Sequence, residues 1–352
     1  MTHQDNSKNN LQFALVQPQV PSLAILPVET TNNRGMVLFG DNNDYPNELY
    51  KADTRCTILS SIINAVSDYV CGENLDMPDI VNKKGMTKSE LIRTLVRDYI
   101  VNGAFAVQVL RNGVNDIAEW YEIPPRYVRL NEEGDTVYYS KKFAEGGMPR
   151  KYLTYERYNG NPQQKDSIYY YRRQGSANDT YGVPMWATAL QDVMTNIAIS
   201  DYHYNSIKND FSPSAIINFN NGVPSDEQQK KIERQINEKF SGENNASKLL
   251  LSWNNDKEHA LTIERLQSDD FGTRYESLAN SVRDNILAAF RVSPQLVGIN
   301  DYATSFNSVE FEQSFKLFKK TVISPIQTEL EGAFVKIGLN VDFQEYTISF
   351  ES

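Results

Sequence analysis

Cysteine is nearly absent from this chain: Cys56 and Cys71 are the only two in 352 residues. Two thiols cannot staple a protein of this size, and no CxxC spacing offers a zinc or redox pair, so both read as reduced thiols. Histidine is as scarce. His3, His203 and His259 lie far apart and lack HxxH or HExxH spacing. No GxxxxGK[ST] or GxGxxG loop is present to cradle a phosphate, and no GxSxG elbow to present a nucleophile. The expectation is a chain with no catalytic residues, no metal site and no cofactor, and therefore not an enzyme.

Long apolar runs are missing too, since none approaches the roughly 18–20 residues that a bilayer crossing needs. The first ten residues are polar and hold no signal-peptide core, so the chain is expected to be made in the cytosol with no membrane partner. Positive charge is in deficit: 35 Lys and Arg stand against 45 Asp and Glu, a formal net charge of −10. A surface that grips nucleic acid through its phosphates needs clustered cations whose binding releases counterions, and this balance argues against one. It leaves room for a protein that handles DNA without holding it.

The remaining composition, 40% hydrophobic and 23% charged, is that of an ordinary globular protein, and the length suggests two or three packed units. Residues 1–35 read as a loose arm rich in Asn and Gln, with order beginning near Phe39. Asp41–Pro46 is a turn cluster without the central Gly and closing Glu of a calcium loop. Ile58, Ile62, Ile63, Val66, Tyr69 and Val70 recur at helical spacing, predicting a helix over Thr54–Val70. Thr87 and Glu90 form a capping box that opens a second helix, ending near Gly103.

Phe105–Arg111 and Val114–Trp120 flank Asn112-Gly113 and predict a β-hairpin whose two central residues take positive φ. Further strands are expected at Tyr127–Leu130, Thr136–Lys142, Lys151–Arg157 and Ile168–Arg173. The 20 tyrosines include the runs Tyr138-Tyr139 and Tyr169–Tyr171, which suit half-exposed strands and subunit contacts.

Pro184 suits the first turn of a long helix on which Trp186, Leu190, Val193, Ile197, Tyr204 and Ile207 form a thin apolar stripe. So thin a stripe suits packing against other helices rather than burial in one core. A compact unit follows: a strand at Ser214–Phe219, a second capping box at Ser225 and Gln228, a short helix with Ile232, Ile236 and Phe240 on one face, then strands at Lys248–Ser252 and Ala260–Leu266. Asp269 and Asp270 open another long helix, where carboxylates favour the positive helix end without any metal. Phe271, Tyr275, Leu278, Val282, Ile286 and Phe290 line its face. A polar loop, Gly298–Ser305, precedes a helix over Val309–Leu330 that Pro325 should kink, and the chain closes on an expected strand, Val341–Phe350.

This α+β order of elements resembles the portal proteins of tailed bacteriophages, and several strings carry the likeness. Tyr181–Leu190 looks like the lead-in to that family's first stem helix, and Phe211–Ile217 like the exit into its clip. Ser225–Phe240 with Asn245–Leu251 is similar to the clip helix and the strand after it. The most specific run, Ile286–Gly298, resembles the pattern I-x-x-x-F-x-V-P-P-x-L-hydrophobic-G and continues through Ser305–Glu310 into Phe315. Ser293 stands where the family often has its first proline.

The resemblance implies a ring of about twelve copies at one capsid vertex, a channel for packaging and ejecting double-stranded DNA without sequence preference. Residues 1–35 would be a flexible arm, 36–182 the α/β wing, 183–210 the first stem helix and 211–267 the clip. Residues 268–292 would be the second stem helix, 293–306 the tunnel loop, and 307–352 the long wing helix and closing strand. Gly298, Asn300, Asp301, Tyr302, Thr304 and Ser305 would approach the channel. The clip, with Ile232, Ile236 and Phe240, would meet the terminase large subunit and the head–tail adaptor. Major capsid and scaffold proteins complete the partners, and the virion, after assembly in the host cytoplasm, is the implied location. Since the given chain stops at Ser352, a crown is expected to be absent or vestigial. Two other readings stand beside this one: a ring-forming connector or head-completion protein without a DNA-translocating role, and an enzyme with an unfamiliar site.

Overall fold

A computed structural model describes residues 27–73, 75–175, 178–208, 215–219, 225, 227–228, 230–231, 249–253, 271–299, 308–344 and 346. Among these, a six-stranded sheet carries the core. Its strands are β3 (Ala104–Arg111), β4 (Ile117–Ile123), β5 (Val128–Leu130), β6 (Thr136–Tyr139), β7 (Leu153–Arg157) and β8 (Asp166–Arg172), in the order β4-β3-β8-β7-β6-β5. Every pairing is antiparallel except the short parallel match of β7 with β8. A two-stranded ribbon, β1 (Glu29–Thr31) with β2 (Val37–Phe39), precedes it, so a paired strand lies within the arm expected from sequence to run to residue 35. Glu29 anchors that ribbon by accepting hydrogen bonds from the backbone N–H groups of Thr180 and Tyr181.

Three helices come between ribbon and sheet: α1 (Tyr45–Arg55), α2 (Thr57–Cys71) and α3 (Lys88–Asn102). The helix expected over Thr54–Val70 is α2, which starts three residues later: Thr54 and Arg55 close α1, and Cys56 between the two takes an extended conformation. The turn at Asp41–Pro46 is real but shorter than it reads, because Pro46 lies in the first turn of α1, where its missing N–H costs nothing. Asn43, at φ 57°, closes the turn; its Oδ1 accepts from Phe39 N at 3.0 Å and from Arg129 Nε at 2.5 Å. Arg129 is wholly buried and lies over the Phe143 ring, with Asn43 and Val128 carbonyls taking its other donors.

The α3 box forms with both arms: Thr87 accepts from Glu90 N, and Glu90 accepts from Thr87 N. Thr87→Ala is expected to lower stability by about 1 kcal/mol, read as a small fall in thermal midpoint with unchanged far-ultraviolet dichroism. At the other end Gly103 stops the helix in a left-handed conformation at φ 68°.

The β3–β4 hairpin is present, but its turn differs from the Asn-Gly expectation. Asn112 Oδ1 accepts from Val114 N and Asp116 N, and Asn115, not Gly113, takes the positive φ, at 68°. A longer loop with one left-handed residue matches the register shift at Leu110 and Arg111. Tyr169 and Tyr170 correct a second expectation. They are buried, Tyr170 against Tyr181 and Tyr169 against Phe105 and Tyr158, because both faces of β8 are covered. Tyr169 and Tyr170 are thus core residues, while Tyr171, Tyr138 and Tyr139 are half-buried.

Further along lie α4 (Leu190–Lys208), the parallel pair β9 (Ala215–Phe219) and β10 (Leu249–Trp253), α5 (Phe271–Phe290), α6 (Ser308–Phe318), a π-helical turn (Lys319–Ile323) and α7 (Ser324–Val335). Pro184 does not open the long helix: a 3-10 turn at Ala187–Ala189 comes first. One arm of the second capping box is present, Ser225 N donating to Gln228 Oε1 at 3.3 Å. The strand expected at Ala260–Leu266 and the pair Asp269–Asp270 lie outside the described residues.

The closing segment is not a strand over the residues described. Leu339, Val341 and Phe343 are buried in alternation with exposed neighbours, yet no strand pairs with them, and Phe343 N instead donates to Glu331 Oε1. The alternation that predicts a strand comes here from one buried side of an extended tail. That tail crosses α2 so closely that a Cβ on Gly72 would sit 2.1 Å from the Gln344 carbonyl oxygen. Among the described residues no helix is long and apolar enough to cross a membrane.

Candidate ring and channel surfaces

Two long helices leave the sheet together, and the exit is set by backbone contact. Gly103 and Gly182 cross so tightly that a Cβ on Gly182 would lie 2.0 Å from the Gly103 carbonyl oxygen. Just beyond, Trp186 is fully buried and donates its indole N–H to Ile100 O at 3.1 Å. Leu190, Val193 and Ile197 continue the buried stripe along the first half of α4, matched by Val282, Ile286, Leu287 and Phe290 along the second half of α5. Asn285 donates to Asp192 across the pair at 2.9 Å, and Arg55 of α1 pairs with Asp201 at 2.6 Å.

Away from the sheet the burial stops. Tyr202, Tyr204 and Leu278 are 45%, 65% and 45% exposed. Leu278 is therefore half exposed among the described residues, although its spacing places it on the apolar stripe. Phe271 and Tyr275 lie on the helical backbone of α5, and their side chains fall outside what is described. His203 sits on the same exposed stretch of α4, beside the Tyr202 ring.

Helix α5 ends in a Schellman arrangement. Val292 N bonds Leu287 O and Arg291 N bonds Ala288 O, with Arg291 at φ 55° where glycine is usual. Ser293-Pro294 then opens a 3-10 turn, Pro294–Val297, whose Leu296 is buried and whose Leu296 carbonyl accepts from Tyr69 OH at 2.8 Å. Gly298 follows at φ 76°. The remaining expected loop residues, Asn300, Asp301, Tyr302, Thr304 and Ser305, lie outside the described residues, as do Ile232, Ile236 and Phe240.

The helix after the loop runs from Ser308 to Val335 without a stop at Pro325. The π-helical turn takes up the proline: Ser324 N bonds Lys319 O, five residues back, and Pro325 occupies the first turn of the helix that resumes. A re-registered ladder is how the missing N–H is accommodated. Phe315 and Phe318 point inward against Tyr69, while Val309 and Leu317, two turns apart, are exposed.

One buried acidic pair draws notice because perturbed carboxyls cluster at functional sites. Burial raises Asp98 well above the usual carboxylate range, with Glu122 adding to the shift, and burial raises Glu122 as well. Tyr50 donates to Asp98 Oδ1 at 2.5 Å, leaving Asp98 Oδ2 without a partner. Arg126 covers the Tyr50 ring. The pair is enclosed by α1, α3 and β4, and among the described residues no cluster of His, Cys, Asp and Glu is suited to hold a metal.

The architecture and these sequence strings have known counterparts. The sequence profile of the family described as "Phage portal protein" matches residues 78–351. The chain belongs to the phage portal protein family. Two curated relatives, both uncharacterized proteins, come from Rickettsia bellii (29% identity over 177 residues, 50% of this chain and 44% of the relative) and Rickettsia felis (33% over 124 residues, 35% and 30%). The matches thus span less than half the length of each curated relative. Among solved structures, a chain of the virion of a native gene transfer agent particle aligns at TM-score 0.57 and 17% identity, covering 84% of this chain and 80% of that one. A chain from the neck of a native gene transfer agent particle, computed with C12 symmetry, aligns at 0.55 and 15%, covering 90% and 84%. These likenesses establish the α+β portal fold.

Proposed function

We propose that copies of this chain form a ring, about twelve strong, at one vertex of a capsid, and that the ring is the channel through which double-stranded DNA is packaged and ejected. The observation that carries the reading is the family match, which takes in α3, all six strands of the main sheet, both long helices and the segment between α5 and α6. The twelvefold figure follows the symmetry of the gene transfer agent neck to which the chain is similar. In this reading α4 and α5 are the stem, the unit between them is the clip, and the sheet with α1–α3, α6 and α7 is the wing.

The physical chemistry fits the role. A channel must let a polyanion run both ways, and strong cationic contacts along its wall would trap it, so a subunit of net charge −10 suits passage. In a ring, apolar residues that are exposed on a single chain, Leu278 and Leu317 among them, meet a neighbour. Gly298, Asn300, Asp301, Tyr302, Thr304 and Ser305 form a polar loop toward the lumen. Ile232, Ile236 and Phe240 offer the clip an apolar face for the terminase large subunit and the head–tail adaptor, with capsid and scaffold proteins meeting the wing. No chemical step belongs to the chain; energy for translocation comes from the terminase.

Negative-stain electron microscopy beside a native mass measurement tests this. Rings with a central channel and a mass near twelve subunits are expected. A compact closed dimer without a channel would overturn the reading, and ATP turnover by the purified chain would favour an enzyme.

A further inference from the structure

Where β8, α5 and the π-helical turn meet, the fold leaves a cavity of about 230 Å³. Arg173, Arg291, Glu329 and the hydroxyl-bearing Tyr99 line it. Tyr99 is only 3% exposed, and its hydroxyl is turned toward Glu329 without making a hydrogen bond of normal geometry, an expensive arrangement for a buried polar group. Burial raises the Tyr99 pKa and nearby Glu329 raises it further, so the hydroxyl stays protonated and remains a donor. The one carboxylate, Glu329, is already engaged: its Oε1 accepts from Tyr171 OH at 3.0 Å and from Gln174 N at 2.9 Å. Arg173 and Arg291 have no side-chain partner among the described residues.

A wider cleft of about 730 Å³ adjoins the cavity, sharing Pro325 and Glu329 and adding Lys320 and Lys336. Four cations therefore face one carboxylate, on a chain whose overall charge is −10. Apart from Thr321, the remaining walls of the inner cavity are apolar, Met185, Ala289, Val322 and Ile326 among them.

We infer that this cleft receives a carboxylate-bearing segment of a second copy of this chain, with Arg173, Arg291 and the Tyr99 hydroxyl binding the carboxylate. The inference rests on the ring reading and adds its charge logic. Copies of a strongly acidic subunit repel one another, and an interface that sets cations against carboxylates offsets that repulsion and fixes the register of neighbours. The apolar walls favour a protein side chain as occupant, because a glutamate brings methylenes to lie on Met185 and Val322, and a phosphodiester does not. The π-helical turn that takes up Pro325 also sets Thr321 and Val322 at the cavity wall.

The test is self-association of the full chain by sedimentation and native mass, at about 50 mM and about 500 mM salt, which bracket strong and weak screening. Arg173→Gln/Arg291→Gln is expected to lower the association constant at least tenfold at low salt and to flatten its salt dependence. Tyr99→Phe should lower it about threefold, the scale of one lost neutral hydrogen bond. Lys51→Gln/Lys83→Gln, the same loss of charge elsewhere, should leave it unchanged. Should the double variant lose its helical dichroism, Arg291→Gln alone, at an exposed position, carries the test.

Equal association of wild type and the cleft variants would overturn the inference and leave the ring reading standing. A wild type that stays monomeric would overturn both. Binding of a short DNA duplex that disappears in the cleft variants while self-association is unchanged would also overturn it, and would assign the cleft to nucleic-acid phosphates.

Discussion

Gly182→Ala is expected to cost about 3–5 kcal/mol of stability, read as a large fall in the urea midpoint of the purified chain. The added Cβ would sit 2.0 Å from the Gly103 carbonyl oxygen and 2.6 Å from its carbon, and both belong to backbone that cannot swing aside. Gly103 is held in turn: its N–H caps α3 through Tyr99 O, and its carbonyl accepts from Arg173 N at 2.7 Å. The reciprocal change, Gly103→Ala, would bring a Cβ to 2.3 Å from Val183 O and also force a side chain onto φ 68°. Relief requires the chain at residue 182 to lift off the end of α3, and the fully buried Trp186 four residues on would be drawn out of its pocket. Gly113→Ala is the control, since nothing lies within 4 Å of the added carbon and its φ is not positive. It should change stability by less than about 0.5 kcal/mol. Equal midpoints for Gly182→Ala and Gly113→Ala would show that the crossing is not the hinge of the architecture. In the ring reading the same variant should also fail to assemble, because the crossing sets the direction in which α4 leaves the wing.

That crossing marks the limit of what the sequence makes legible. Local signals read well. The Thr87–Glu90 box and Gly103 bracket a helix because capping and left-handed termination are decided within one turn. The strands from β3 to β8 read to within a few residues for the same reason, since short runs rich in β-branched and aromatic residues, bounded by turn residues, are a local pattern. Helix α1 is masked in the sequence because Pro46 reads as turn punctuation, and its buried positions include Pro46 and Asp53, which break the apolar spacing. The tyrosine run at β8 misled because burial of a strand on both faces depends on which helices arrive later in the chain, here including α7, whose Phe334 meets Phe105. The closing tail misled in the opposite sense, with alternation satisfied by docking rather than by pairing. Of the site residues, Trp186, Val193, Ile197, Val282 and Ile286 announce their packing by spacing. Arg173 and Arg291 do not. Nothing local distinguishes them from other surface cations, and only the fold brings them to one cavity beside Tyr99.

Asp98→Asn is expected to stabilise the chain at pH 8 by about 1–3 kcal/mol, the range for relieving an unpaired buried polar group. Asp98 is 7% exposed, its Oδ2 lacks a partner, and Glu122 brings a second acid close to it. Both effects favour the neutral carboxyl, so the folded state binds the proton more tightly than the unfolded chain does. The sign follows. The favourable contribution is full below the unfolded aspartate value, near 3.9, and is lost as pH rises toward the raised folded value. Wild type should therefore weaken relative to the variant between about pH 4 and pH 8. Asparagine keeps the shape and the acceptor that Tyr50 OH needs while removing the charge. Thermal midpoints of wild type and Asp98→Asn should thus nearly coincide around pH 4 and separate as pH rises, with Asp98→Asn the more stable. Glu122→Gln should act in the same direction and more weakly, since that group is less enclosed, and the two changes together should give less than the sum of each alone because they relieve one shared repulsion. An Asp98→Asn chain less stable than wild type at pH 8 would mean that the ionised carboxylate, held by Tyr50 and Arg126, is what this corner of the wing is built around.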